Sequence, residues 1–143
     1  MTIRFTVPGE PRPSRRRSTV INGRAMRYQT KESKLAQQTV QQFAWAAMNG
    51  EPPLDGPVVV RLDVYRAKGR PASKQGKAKA EARQIRPITR PDCNNYGKLI
   101  EDGLNGICFV DDAQVVELVV AKWYSATPRI EVTVTPWEAP CAE

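Results

Sequence analysis

With 143 residues, 41% hydrophobic and 26% charged, the chain has the composition of one globular domain with a sizeable core. It contains no histidine, which excludes Ser-His-Asp and Cys-His catalysis and His-Glu-x-x-His zinc sites, so any hydrolysis must rest on carboxylates, lysine and a metal. The net charge of +7 is uneven: residues 1–90 carry 19 basic and 6 acidic side chains, residues 91–143 carry 3 and 9.

A basic first part around an acidic centre suits a polyanionic partner, since phosphate is drawn to one and a cation to the other. Cys93, Cys108 and Cys141 are odd in number and lack Cys-x-x-Cys spacing, so they read as free thiols in a reducing compartment. No run approaches the roughly 20 apolar residues of a membrane span. The first residues lack the apolar core of a signal peptide. The expectation is a cytoplasmic protein without a membrane partner.

In chain order, Thr2 to Val7 alternates as a strand with Ile3, Phe5 and Val7 on one face. Pro8, Pro11 and Pro13 end it. Residues 11–30 form a basic arm carrying Arg12, Arg15, Arg16, Arg17, Arg24 and Arg27, a loop or a hairpin turning at Asn22-Gly23. The arm is either a solvated extension or a set of phosphate contacts. Arginine's bidentate fit to phosphate favours the second.

Thr30 or Ser33 is placed to cap a helix running to about Met48, with Leu35, Ala36, Val40, Phe43, Ala44 and Ala47 as its apolar stripe. Trp45 falls off that stripe, at a core edge or a dimer contact. Val58 to Tyr65 is the clearest half-buried strand, and its expected partners are Gln114 to Tyr124 and Arg129 to Thr135. Residues 66–90 form a basic loop that includes Lys74, Lys77, Arg86 and Arg90 and only one acid, Glu81. Ser73 to Gln84 within it is a short helix or disordered, and the loop either follows a DNA arm or is plain surface.

Carboxylates concentrate between Thr89 and Val116. In an extended segment Asp92 and Asn94 would leave one face. From Asn95 the period is helical, with Tyr96, Leu99, Ile100 and Gly103 or Leu104 on one stripe and Asn94, Lys98 and Asp102 on another. Asn105-Gly106 stops the helix, Ile107 to Val110 reads as a short strand, and Asp111-Asp112 follows. Such a hairpin would carry Asp112 back towards Asp92. Carboxylates converging beside a lysine can hold a divalent cation. The plainer alternative makes Asp92 a helix cap and Asp111-Asp112 a polar turn.

Pro91-Asp92-Cys93-Asn94-Asn95, Lys98, Glu101-Asp102-Gly103-Leu104-Asn105-Gly106 and Asp111-Asp112-Ala113-Gln114-Val115-Val116 resemble the signature of the RusA family of Holliday-junction resolvases. These are crossover junction endodeoxyribonucleases often carried by phages and prophages of bacterial hosts. The likeness extends loosely from Val7 to Val134. It implies that Asp92 and Asp112 are metal-binding aspartates, that Lys98 is the functional lysine, and that Asp111 is a weaker candidate beside them. It also implies magnesium, with manganese as a substitute, four-way DNA junctions as substrate, and a homodimer delivering paired cuts in recombination and repair. The family has an aspartate where this chain has Asn94. The amide keeps an oxygen but no charge, so a trapped or low-activity enzyme and a non-catalytic branched-DNA-binding protein are the two alternatives. The expected fold is α+β: a mixed, mainly antiparallel sheet of four to five strands with two principal helices, as a single domain over residues 1–143.

Overall fold

A computed structural model, described for residues 1–141, places four strands in one sheet of order β1-β6-β4-β5. The strands are β1 (Ile3–Pro8), β4 (Val58–Arg66), β5 (Val115–Tyr124) and β6 (Arg129–Pro136), and β4–β5 is the parallel pair among antiparallel ones. The class is α+β, as expected. Period-two alternation sets which side is core: Val58, Val60, Leu62 and Val64 are buried against Ile130, Val132 and Val134. Register lays Leu62 beside Val132 and Val64 beside Ile130. Each such burial is worth roughly 1.5–3 kcal/mol.

Parallel strands cannot be joined by a tight turn, and the return from β4 to β5 runs through α3 (Cys93–Leu104). Tyr96, Leu99, Ile100, Gly103 and Leu104 are buried on that helix, which is the stripe read from the sequence. The helix starts at Cys93, two residues earlier than the pattern suggested. Its neighbour α1 (Lys31–Met48) buries Ser33, Val40, Ala44 and Met48. A Cβ at Gly103 would lie 2.5 Å from a Val40 methyl, so the close approach of the two helices requires that glycine.

On α1 Leu35 departs from the expected stripe, while Trp45 lies off it as expected but not at a core edge. Leu35 is 54% exposed and Trp45 is 73% exposed, so neither belongs to the core. Ser33 takes the inward place instead. Its hydroxyl accepts from the Arg15 amide and the Gln29 side chain, tying the arm to the helix.

Ile107 to Val110 is not a strand. Ile107 and Cys108 amides both donate to the Leu104 carbonyl at 3.0 Å, and Gly106 donates to Phe109, so the backbone closes as turns after the helix. Phe109 makes isolated bridges to Leu54 and Asn105, and with Cys108 it is fully buried. The apolar run signalled burial and not extension.

The arm is a hairpin of β2 (Arg16–Ile21) and β3 (Arg24–Gln29), turning at Asn22 and Gly23, both at positive φ. Within the basic loop Ser73 caps a third helix, α2 (Lys74–Glu81), additional to the two expected. No described helix is long and apolar enough to cross a membrane.

Candidate active site

Asp92 occupies the cap position of α3, yet its carboxylate makes no capping hydrogen bond and is exposed. The cap reading therefore holds for its backbone alone. The approach to Asp92 is strapped down by two cations. Arg66, 4% exposed, donates to the Thr89 carbonyl at 3.0 Å and its hydroxyl at 3.3 Å. Lys122 donates to the same carbonyl at 3.0 Å and to that of Pro91 at 3.2 Å. Sequence reasoning passed over both residues. For Arg66 the signal existed: it continues the inward phase of Val60, Leu62 and Val64, where a charge must find partners.

Because α3 begins at Cys93, Asn94 lies in its first turn. The shared extended face with Asp92 is thus absent, since helical positions two apart diverge. Asn94 instead heads a face with Lys98, Glu101 and Asp102. Lys98 and Asp102 form an ion pair at 3.3 Å. Burial pushes the half-buried Glu101 carboxyl above its ordinary value and the Asp112 charge pushes it further, against an opposing pull from Lys98. Asp112 therefore stands near Glu101, in the C-terminal half of α3. Glu101 is the carboxylate that sequence reasoning missed, although it sits three residues past Lys98 on the same face.

The Asp111-Asp112 turn has a defined anchor. The Gln114 amide donates to the Asp111 carbonyl at 3.0 Å, closing a single 3-10 turn over Asp112–Gln114. In return the Gln114 side-chain oxygen accepts from the amides of Val110 (2.8 Å) and Asp111 (2.9 Å). Its nitrogen donates to the carbonyls of Leu54 (2.9 Å) and Gly56 (2.8 Å). One side chain thus fastens the turn to the entrance of β4, and Asp111 and Asp112 both stay exposed.

The arm reaches α3 at its root, where the Ser14 amide donates to the Asn95 carbonyl at 3.0 Å. A cleft of about 480 Å³ opens there, lined by Arg12, Arg15, Arg17, Arg66, Lys68 and Arg90 among others. Glu10 shapes its wall by accepting from the amides of Ala67 and Lys68. Tyr96, also on the wall, has its pKa raised by burial and then by Glu10, against the lowering effect of Arg66. Of the basic residues singled out from sequence, Arg12, Arg15, Arg17 and Arg90 gather at this cleft. Arg16, Arg24 and Arg27 lie along the hairpin, Lys74 and Lys77 lie on α2, and Arg86 packs on Trp123.

Among the described residues no three acidic or thiol side chains gather at metal-holding spacing. The expected ligands Asp92, Asp111 and Asp112 therefore do not form such a group. A family model described as endodeoxyribonuclease RusA matches residues 8–135. The chain is also 41% identical over 135 residues to the uncharacterized protein YqaN of Bacillus subtilis (strain 168), covering 92% of this chain and 94% of that one. The free acid heading α3, the basic cleft beside it and this match over most of the length have one reading: the chain belongs to the RusA family of endodeoxyribonucleases.

Proposed function

We propose that the protein is a divalent-metal-dependent endodeoxyribonuclease that cuts four-way DNA junctions as a symmetric homodimer, in the cytoplasm of a bacterial host and of phage or prophage origin. The observation that carries this reading is the uncapped Asp92 carboxylate facing solvent at the head of α3, beside an arginine-lined cleft. Asp92 and Asp112 hold the cation, with the Asn94 side-chain oxygen as a neutral third donor. Two carboxylates and an amide fit Mg²⁺ or Mn²⁺, since magnesium needs only one or two protein carboxylates beside substrate phosphate and water. When bound, the ion supplies a polarised phosphoryl oxygen and a water of lowered pKa.

The chain's own residues do the rest. Arg12, Arg15, Arg17 and Arg90 neutralise phosphates flanking the cut. Lys98, held near Asp102, offsets charge developing on the scissile phosphate. Asp111, whose backbone is bonded to Gln114 on both sides, positions Asp112. A two-fold dimer presents two such centres, as two matched cuts require. Sedimentation should give twice the 16.0 kDa chain mass.

The deciding experiment is Asn94→Asp. Restoring the missing charge should raise magnesium-dependent cleavage of a four-way junction at least tenfold while leaving junction affinity within a few-fold. Asp112→Asn in that background should abolish the gain. A second reading, a non-catalytic branched-DNA-binding protein, is favoured by Asn94 itself. It takes over if Asn94→Asp binds junctions yet stays inert with both Mg²⁺ and Mn²⁺.

A further inference from the structure

The sheet face opposite α1 and α3 carries a ladder of alternating guanidinium and aromatic groups. Tyr65 pairs across the sheet with Trp123 on one side and Arg129 on the other, so register alone brings these three together. Arg129 lies 4.0 Å from the Tyr65 ring centre. Arg83 reaches both rings, at 4.7 Å from Trp123 and 6.0 Å from Tyr65, and Arg86 covers Trp123 at 3.8 Å. Trp123 is therefore contacted by two guanidinium groups contributed by the loop.

Hydrogen bonds fix the ladder's orientation. The indole Nε1 donates to Asp63 at 2.9 Å, Arg83 donates to the Tyr65 hydroxyl at 3.1 Å, and Arg86 Nε donates to the Lys122 carbonyl at 2.9 Å. Arg129 is held by three acceptors, Nε on Glu131 and Nη1 on Ser125 and Thr127, and its charge is paired with Glu131. Arg83 and Arg86 are not. Among the described residues Arg83 Nε and Nη1, and both terminal nitrogens of Arg86, have no hydrogen-bond acceptor, and both residues are exposed. Arg83 also holds a positive φ of 60°, an uncommon backbone for a residue with a side chain, and one that persists where surrounding contacts determine it.

Two adjacent guanidinium groups, held on an aromatic face with outward donors unfilled, are preorganised for anions, because little rotamer freedom is left to lose on binding. We infer that Arg83 and Arg86 form a phosphate clamp for the backbone of a duplex DNA arm, with Trp123 as the positioning residue between them. The inference rests on the DNA-binding reading above and adds a second contact surface to the cleft. Lys122 ties the two surfaces together. The Lys122 carbonyl holds Arg86, while its ammonium holds Thr89 and Pro91 immediately before Asp92. Asp63, Glu131 and Glu117 are the acids that strand register places on this face; Asp63 is bonded to Trp123 and Arg61, Glu131 to Arg129, and Glu117 lies opposite Val59, six residues along β5 from Trp123.

The test is a salt titration of four-way-junction binding by the full chain. Losing two phosphate contacts should lower the slope of log affinity against log salt by about 1.8 and weaken binding roughly thirtyfold at 0.15 M salt. Arg83→Gln/Arg86→Gln should show both changes. Trp123→Leu, which keeps both charges, should lose most of the same affinity, and Trp123→Phe, which keeps a ring face, should recover much of it. A double glutamine variant with wild-type slope and affinity overturns the clamp. Trp123→Leu that is folded by circular dichroism and binds like wild type removes the positioning role. If wild type itself ignores junctions, the DNA-binding reading fails and the clamp with it, an outcome distinct from loss of the clamp alone.

Discussion

Gln114→Ala should unfasten the Asp111-Asp112 turn and destabilise the whole domain measurably. The side chain makes four hydrogen bonds of 2.8–2.9 Å that join the turn to the loop entering β4. A typical protein hydrogen bond contributes about 0.5–1.5 kcal/mol net. Three of these four are solvent-exposed and one is part-buried, so water can replace most of them and the low end applies. The loss is then about 2–3 kcal/mol in total. For a domain of this length that corresponds to a Tm lower by about 6–12 °C in a reversible thermal melt. Gln114→Glu sharpens the test. It keeps the two acceptor bonds but turns a carboxylate towards the Leu54 and Gly56 carbonyls, next to Asp111 and Asp112. At pH 7 it should cost at least as much as alanine. The deficit should shrink as pH falls through the carboxylate range, because the protonated acid regains one donor. Melting of both variants within 2 °C of wild type would refute the anchoring role of this side chain.

Gly103→Ala should destabilise by about 1–3 kcal/mol, since its methyl would press into Val40 at the α1–α3 crossing; a melt indistinguishable from wild type would contradict that packing. Cys108 is buried and its thiol is pushed up to about 11, so a thiol reagent at pH 8 should label exposed Cys141 first, Cys93 more slowly, and Cys108 only on unfolding. The same shift makes stability fall as pH rises from about 9 towards 11, because there the unfolded chain gives up the thiol proton that the folded one retains. Buried Tyr65 and Tyr96, also raised, act in the same direction. Arg15, Arg16 and Arg17 changed together to alanine should give a shallower salt slope in junction binding, most of it from Arg15 and Arg17, which line the cleft.

Much of the architecture was legible because it depends on local periodicity. Ile3 to Val7 and Ile130 to Val134 alternate strictly, Val60 to Val64 does so after an all-valine start, and that alternation selects a strand and its inner face. The stripe from Tyr96 to Leu104 likewise selected a helix and its buried side, and Asn22-Gly23 selected the hairpin. The motif from Asp92 to Asp112 also named the family without coordinates. Hydrogen-bond partners that periodicity does not encode decided the rest. Ile107 to Val110 is as apolar as a strand, but its amides turn back to Leu104, which only the end of α3 could supply. Leu35 had the right residue type for the core. Ser33 displaced it because the returning arm offered that hydroxyl two donors. Arg66 and Lys122 carry no motif, Gln114 sits in the signature without a stated role, and the importance of all three comes from the backbone groups that tertiary folding sets before them. The Arg83–Trp123–Arg86 stack joins a loop to a strand roughly forty residues away, a pairing without local periodicity to reveal it. A single sequence records the preferences of neighbours along the chain; buried charges and hydrogen-bond partners are settled only when separate segments meet.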